Sequence, residues 1–231
     1  MQGGALGVTV VWQLGPVAIT ETVVTTWVIM ALLGLLSVLL TRRLTLRPGA
    51  LQTAVEGVVT ALEAAIAAVA PAQARHMLPL VGTLWVFLVV ANLAGLIPGV
   101  HSPTGDLSAT AALALLVFLS VHWFGIRAQG LRAYLRHYLT PSPILLPFHL
   151  ISEVTRTVAL AVRLFGNIMS LEMAALLILL VAGFLVPIPI LMLHIIEALV
   201  QAYIFGMLAL IYIAGGLEAQ QRTADQDKET T

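Results

Sequence analysis

The sequence predicts an all-α membrane protein with about five transmembrane helices and one further amphipathic helix at the membrane interface. Hydrophobic residues make up 60% of the 231 residues and charged residues only 10%, against about 25% in a typical soluble domain. The apolar residues occur in charge-free stretches of about 20 residues, the length that crosses a bilayer as a helix. Arginines directly follow two of these stretches, as is typical of the cytoplasmic ends of transmembrane helices.

The first charge-free stretch, residues 22–41, predicts a transmembrane helix. Arg42 opens a basic segment after it, which places this end in the cytoplasm and the N-terminus outside. Residues 50–70 are less hydrophobic, and Glu56 and Glu63 lie a heptad apart on one helix face. We therefore predict an amphipathic helix at the cytoplasmic interface, with a short transmembrane hairpin arm as the alternative.

The next two spans form a predicted transmembrane hairpin. Residues 76–97 and 107–126 contain no Lys, Arg, Asp or Glu, and a polar turn over residues 99–106 separates them. Arg127 and two further arginines follow the second span. The turn therefore lies outside and the arginines inside, which agrees independently with the orientation predicted from the first helix.

Two long apolar segments, residues 144–184 and 188–217, complete the membrane domain. Both exceed the roughly 20 residues that a perpendicular crossing needs, so the helices are expected to tilt or kink. The final residues, 218–231, are polar and mixed in charge, which predicts a disordered cytoplasmic tail. We therefore predict one integral membrane domain over residues 1–217.

Arg163 is the most informative residue, because it lies deep in the first long segment. An arginine at membrane depth costs at least about 2.5–3.5 kcal/mol on insertion scales. It is tolerated where it faces a water-filled cavity or a counter-charge. We favour a direct role in ion movement, with a structural ion pair to Glu197 as the alternative.

The helix around Arg163 is predicted to have two different polar sides. Asn167 and Ser170 follow Arg163 at i+4 and i+7, so the three residues share a face. Glu172 lies nine residues after Arg163, which at about 100° per residue is roughly the opposite face. A hydrophilic pathway divided by an arginine needs a layout of this kind.

A polar stripe marks the last segment, where His194, Glu197 and Gln201 fall at i, i+3 and i+7. Glu197 is a candidate proton acceptor, and His194 is of the residue type that exchanges protons near neutral pH. Gln201 is expected to hydrogen-bond to Arg163 or Asn167. The alternative is a cluster that only holds the helices together.

Several other classes of function are disfavoured. The chain has no cysteine and no net charge, so thiolate metal sites are excluded and nothing indicates a nucleic-acid surface. The catalytic motifs His-Glu-x-x-His and Gly-x-Ser-x-Gly are absent from the sequence, which argues against an intramembrane enzyme. A secondary transporter would favour an internal repeat, and none is visible. A scaffold would leave Arg163 unexplained. We predict no metal, no cofactor and no ATP site.

Four segments of the sequence carry a family resemblance. The run Arg163-Leu164-Phe165-Gly166-Asn167 closely resembles the signature of subunit a of F-type ATP synthases. Three further segments resemble the family in the correct order. Residues 92–99 (Asn-Leu-Ala-Gly-Leu-Ile-Pro-Gly) resemble the end of its third helix, and residues 103–110 (Pro-Thr-Gly-Asp-Leu-Ser-Ala-Thr) resemble the entry to its fourth. Residues 201–205 (Gln-Ala-Tyr-Ile-Phe) resemble its final helix. The resemblance extends over roughly residues 20–217.

The chain also departs from the family pattern just before Arg163. Thr157 stands where the family commonly has proline, and Ala159 and Ala161 stand where it commonly has serine. Leu171 replaces a frequent glycine before Glu172. These departures favour a divergent member of the family, for instance one from a second ATPase operon.

The resemblance implies a channel subunit that lies beside a rotating ring of c subunits and offers ions two half-channels, each open to one side of the membrane. Its function is then to move protons, with sodium ions as the alternative, and to couple their flow to ATP synthesis or hydrolysis, without catalysis of its own. The implied partners are the c-ring, the b subunits of the peripheral stalk, the rest of the F-type complex and the lipid of a bacterial plasma membrane, which the chain crosses several times. The family's essential arginine matches Arg163, and its path residues match Asn167, Glu172, His194, Glu197 and Gln201.

Overall fold

The computed structural model describes residues 10–14, 17–42, 49–71, 73–97, 100–131, 134, 146–182 and 187–229. An antiparallel hairpin begins the described chain, with strands β1 (Val10–Leu14) and β2 (Val17–Thr20). These strands of five and four residues add to the predicted all-α architecture. They are too short for an alternating pattern to distinguish them from a loop in the sequence.

Helices make up most of the remaining described chain. A short 3-10 turn, Pro103–Gly105, lies between the third and fourth helices. The α-helices are α1 (Glu21–Thr41), α2 (Ala50–Val69), α3 (Ala74–Ala94), α4 (Leu107–Gln129), α5 (Leu146–Ala182) and α6 (Pro187–Glu229).

All six helices are long and apolar enough to cross a membrane, so the predicted all-α membrane fold is confirmed. Helix α2 is the least apolar of the six. Its predicted location on the interface, and the alternative of a transmembrane hairpin arm, both stay predictions. The side of the membrane on which each terminus lies also stays a prediction.

Helices α5 and α6 are the two long helices expected from the sequence. They contain 37 and 43 residues, which at 1.5 Å per residue is about 55 Å and 65 Å of helix. A hydrocarbon layer is only about 30 Å thick. Each helix must therefore lie obliquely or extend beyond the layer.

The last described residues differ from the predicted disordered tail. Helix α6 continues without interruption to Glu229, so the backbone is helical where the sequence predicted disorder. Residues 217–229 contain no glycine or proline and are rich in Ala, Glu, Gln, Lys and Arg, which are good helix formers. Their polarity excludes them from a core and from lipid, but it does not prevent a helix from continuing.

The core lies where helices α3 to α6 pack together. Helix α4 packs against α5 and α6, and α3 packs against α6. Two clusters of buried side chains fill these interfaces, and small residues such as Ala202 and Ala209 on α6 are fully buried in one of them. Small side chains let helices approach closely. Close packing of this kind drives the association of membrane helices, because lipid is itself apolar and the hydrophobic effect does not favour contact between helices.

One glycine marks the closest approach between α3 and α6. A methyl group on Gly206 would overlap the indole ring of Trp85, so this position requires glycine. The same indole stacks on Tyr203 with ring centroids 6.2 Å apart, and its Nε1 donates to the Tyr203 carbonyl at 3.3 Å. The pair fixes α6 against α3 one turn after Gln201.

Candidate functional site

Arg163 lies near the middle of α5, on a face of the helix that the rest of the chain leaves exposed. Exposed apolar side chains flank it on α5, including Val158 and Val162, which are 54% and 53% exposed. In the described part of the chain, Arg163 has no ion pair or hydrogen bond from its guanidinium. The alternative of an ion pair with Glu197 therefore has no support in this structure.

Asn167, one turn after Arg163, is held by the neighbouring helix. Its Nδ2 donates to Oε1 of Gln201 on α6 at 2.7 Å. Gln201 is almost completely buried, with 2% of its surface exposed. The expected bond between Gln201 and either Arg163 or Asn167 is thus formed with Asn167, and it ties α5 to α6 directly beside the arginine.

The other two members of the polar stripe on α6 differ in their surroundings. His194 is buried, and its Nε2 has no hydrogen-bond partner among the described residues. Nε2 of Gln201 is also buried without a partner there. Glu197 is half-buried between them along the helix. Buried polar atoms usually have partners, so these atoms indicate a place where water or another group belongs.

The carboxyl group of Glu172 fits against two glycines. A Cβ atom on Gly105 would lie 3.1 Å from its Oε2, and one on Gly95 would lie 3.4 Å from its Oε1. Oε1 is buried and has no hydrogen-bond partner in the described residues. The side chains of His101 and His194 interact electrostatically with this carboxyl group. Glu172 therefore faces the 3-10 turn and α6, whereas Arg163 faces outward.

A buried hydrogen-bond network supports this region. Thr104 Oγ1 donates to Asn92 Oδ1 at 2.7 Å, and Asn92 Nδ2 donates to the Ala198 carbonyl at 3.1 Å. Ser102 Oγ lies 2.7 Å from Thr104 Oγ1 and donates to the Ala91 carbonyl at 2.9 Å. Asn92, Ser102 and Thr104 are all buried. The network joins the turn between α3 and α4 to both α3 and α6.

Helix capping fixes the other end of this turn. The Asp106 carboxylate accepts from the backbone N–H of Ser108 at 2.8 Å, which caps the N-terminus of α4. Asn92, Ser102 and Thr104 were not among the predicted site residues. Asn92 and Thr104 lie in the two motifs 92–99 and 103–110, whose polar positions meet in the folded chain, and Ser102 directly precedes the second motif.

A second polar region lies at the opposite end of the helix bundle. A cavity of about 270 Å³ opens there between α4, α5 and α6. Its wall includes His122 of α4, Glu153 and Arg156 of α5, and Tyr212 of α6. The sequence carries no signal for this cluster, because its members are far apart along the chain. Among the described residues, no group of three or more His, Asp or Glu side chains could hold a metal ion.

Comparison with known proteins gives close relatives over nearly the whole chain. The model of one protein family, described as ATP synthase A chain, matches residues 23–214. ATP synthase subunit a 1 of Hahella chejuensis is 71% identical over 211 residues, which are 91% of this chain and 90% of the relative. ATP synthase subunit a 2 of Pelobacter propionicus is 64% identical over 220 residues, 95% and 96% of the two chains. ATP synthase subunit a of Legionella pneumophila is 58% identical over 211 residues, 91% and 92% of the two chains. The matched range includes Arg163 and both polar regions.

Proposed function

The chain belongs to the ATP synthase subunit a family, and we propose that it moves ions through two half-channels that meet a rotating ring of c subunits at Arg163. Family membership supports proton translocation coupled to ATP synthesis, in a multi-pass protein of a bacterial inner membrane. It also makes the chain part of an F-type ATPase complex. We propose in addition that its partners in this complex are the c-ring and the b subunits of the peripheral stalk, and that the ion path consists of two half-channels.

The exposed position of Arg163 is the observation that carries the proposal. A permanent charge on an outward face of a membrane helix cannot be left in lipid, because insertion at the centre of a bilayer costs at least about 2.5–3.5 kcal/mol. No side chain of the described residues compensates this charge. A carboxylate on a partner is the group that would do so. We therefore assign this face of α5 to the c-ring and its ion-binding carboxylates.

Glu172 and His194 are assigned to the half-channel on the side that the positive-inside rule predicts to be outside. Both lie at the end of the bundle that contains the α3–α4 turn, where His101 is exposed. Buried polar atoms of Glu172, His194 and Gln201 have no partners in the described residues. A line of water molecules between them would satisfy these atoms and carry protons inward.

Asn167, Gln201 and Glu197 are assigned to the inner end of this path, beside Arg163. The 2.7 Å bond between Asn167 and Gln201 holds α5 and α6 in register there. Glu197 is half-buried on α6 and contributes a carboxylate four residues before Gln201. A ring carboxylate that has passed Arg163 would meet this group of polar side chains.

Charge then explains how rotation follows ion flow. A ring carboxylate must be ionised to pass Arg163, and it must be protonated before it turns into lipid as a neutral group. The fixed charge of Arg163 repels a cation that would otherwise cross directly between the half-channels, in a gap of low dielectric constant. A membrane potential supplies about 2.3 kcal/mol per charge for each 100 mV, which biases the rotation. The ring's own site, rather than this chain, would decide between protons and sodium ions.

The proposal is tested by ATP-driven ion pumping in vesicles that hold the assembled complex. We expect Arg163→Ala to abolish pumping while the complex still assembles, with a larger passive leak, since the barrier between the half-channels is gone. Arg127→Ala is the matched control, because Arg127 is exposed at the end of α4 and away from this face. Undiminished pumping by an assembled Arg163→Ala complex would refute the mechanism.

A further inference from the structure

The cavity at the other end of the bundle contains ionisable groups from three helices. Helix α4 contributes His122, α5 contributes Glu153 and Arg156, and α6 contributes Tyr212. His149 and Tyr134 are the other titratable groups in its wall. A cavity of about 270 Å³ has room for several water molecules, each of which occupies about 30 Å³ in the liquid. The polar and ionisable side chains in its wall distinguish it from an apolar packing defect, which would stay dry.

The hydrogen atom on the His122 ring is located by its surroundings. Nδ1 lies 2.9 Å from the backbone carbonyl of Phe118. A carbonyl only accepts hydrogen bonds, so Nδ1 carries the hydrogen and donates it. Nε2 is then the nitrogen that gains or loses a proton. It lies 3.4 Å from Oε2 of Glu153, so the reactive nitrogen of the imidazole faces the carboxyl group.

This geometry lets two helices share one exchangeable proton. The proton resides on Glu153 Oε2 beside a neutral imidazole, or on His122 Nε2 beside a carboxylate, and the pair has the same net charge in both cases. Release of that proton leaves a carboxylate and a neutral imidazole. Uptake of one proton from water restores the pair. Both side chains retain contact with the cavity, with 27% and 21% of their surfaces exposed.

The cavity borders the same face of α5 that carries Arg163. Arg156 belongs to the cavity wall and is also exposed on α5, seven residues before Arg163 and thus on the same side of the helix. Its guanidinium lies 5.6 Å from the centre of the Tyr212 ring, which holds it at this border. Glu153 precedes Arg163 by ten residues and Glu172 follows it by nine, so the two carboxyl groups lie about 15 Å and 14 Å along the axis on either side.

We propose that His122 and Glu153 form a proton-exchanging pair that passes protons between the water on this side of the membrane and the ring carboxylate near Arg163. The inference rests on the proposed function, and it adds two residues and a proton relay to it. By the positive-inside rule this side is the cytoplasm, because Arg127 follows His122 on α4. In ATP-driven pumping, the pair takes up a proton from the cytoplasmic side through Nε2 and delivers it by way of cavity water.

The test measures ATP-driven proton pumping in inverted vesicles, whose outer medium contacts the cytoplasmic face of the complete complex. Rates are recorded between about pH 6 and pH 8 for Glu153→Gln and His122→Gln. A positioned proton-transfer group contributes about 10²–10⁴-fold to a rate, and cavity water replaces part of that function. We expect pumping to fall about tenfold at pH 8 and much less at pH 6, because free protons become scarcer as the pH rises.

The double variant and a control separate a relay from a structural contact. If the two groups act as one relay, the double variant should pump no more slowly than the slower single variant. Glu56→Gln is the control, since Glu56 is exposed on α2 and its carboxylate accepts a hydrogen bond from Gln52 Nε2 of its own helix at 2.7 Å. It should pump as the wild type does at every pH. Each single variant tests the inference separately should the other fail to assemble.

Two results would overturn the inference. One is wild-type pumping by both assembled single variants across the whole pH range. The other is a loss by the same factor at every pH, which is the effect of a structural pair. Either result, together with lost pumping in Arg163→Ala, would refute the relay and retain the proposed function. Retained pumping in Arg163→Ala would instead remove the proposed function itself.

Discussion

Replacing Thr104 with valine removes one hydroxyl group from the buried network at the α3–α4 turn and leaves the shape of the side chain nearly unchanged. Thr104 is fully buried, and its Oγ1 donates to Asn92 Oδ1 at 2.7 Å. In Thr104→Val this acceptor loses its donor. Asn92 cannot turn toward another partner without breaking its bond to the Ala198 carbonyl on α6.

The size of the effect follows from two terms. A buried hydrogen bond contributes about 1 kcal/mol net, and a buried acceptor without a donor costs about 1–3 kcal/mol. Hydrogen bonds between membrane helices fall at the lower end, about 0.6 kcal/mol on average and about 1.7 at most. We therefore expect Thr104→Val to lower the free energy of unfolding by about 1.4 kcal/mol, which is roughly a tenfold change in the unfolding equilibrium.

Unfolding of the full chain in mixed detergent micelles, followed by tryptophan fluorescence as the fraction of denaturing detergent rises, measures this change. Thr83→Val is the matched control, because Thr83 is exposed on α3 and its hydroxyl bonds to the Pro79 carbonyl of its own helix. It should stay within about 0.5 kcal/mol of the wild type. Equal losses for Thr104→Val and Thr83→Val would refute the reasoning that the network holds the turn to α3 and α6.

Two further predictions concern the contacts between α6 and its neighbours. Gly206→Ala should destabilise the chain by about 1–3 kcal/mol, because its methyl group overlaps Trp85. Gly34→Ala on α1 is the control and should not destabilise the chain, because its methyl group meets open space. Equal stability of the two variants in the same unfolding measurement would contradict this prediction. Asn167→Ala and Gln201→Ala should show a coupling of about 0.6–1.7 kcal/mol in a double-mutant cycle, since their 2.7 Å bond joins two membrane helices. Additive losses would show that this bond contributes nothing to stability.

Features that repeat along the sequence were predictable from it. The helices follow from long charge-free stretches, and the face of Arg163 follows from helical spacing alone. A bond from Gln201 to Arg163 or Asn167 was expected because the three residues lie on polar faces of adjacent segments, and the structure forms it with Asn167. Glu172 and Arg163 occupy different sides of α5, as their nine-residue separation predicts.

Features that depend on how separate segments meet were not predictable. The network of Asn92, Ser102 and Thr104 needs a turn to fold back on α3, and periodicity does not specify that. His122 and Glu153 lie 31 residues apart on different helices, so no local pattern relates them. The continuation of α6 to Glu229 was missed for another reason, since polar composition indicates solvent contact and leaves the backbone conformation undecided.

The length of α5 has a consequence for the geometry of rotation. A 37-residue helix is about 55 Å long and fits within a 30 Å hydrocarbon layer only when inclined by roughly 57°. Glu153 and Glu172, which are 19 residues apart, would then be displaced sideways from each other by about 24 Å as well as in depth. The points at which ions arrive and depart would lie at different places along the circumference of the ring. Under the proposed mechanism, that displacement would have one direction only and would give the motor a handedness, so that reversing the ion current would reverse the sense in which the ring turns.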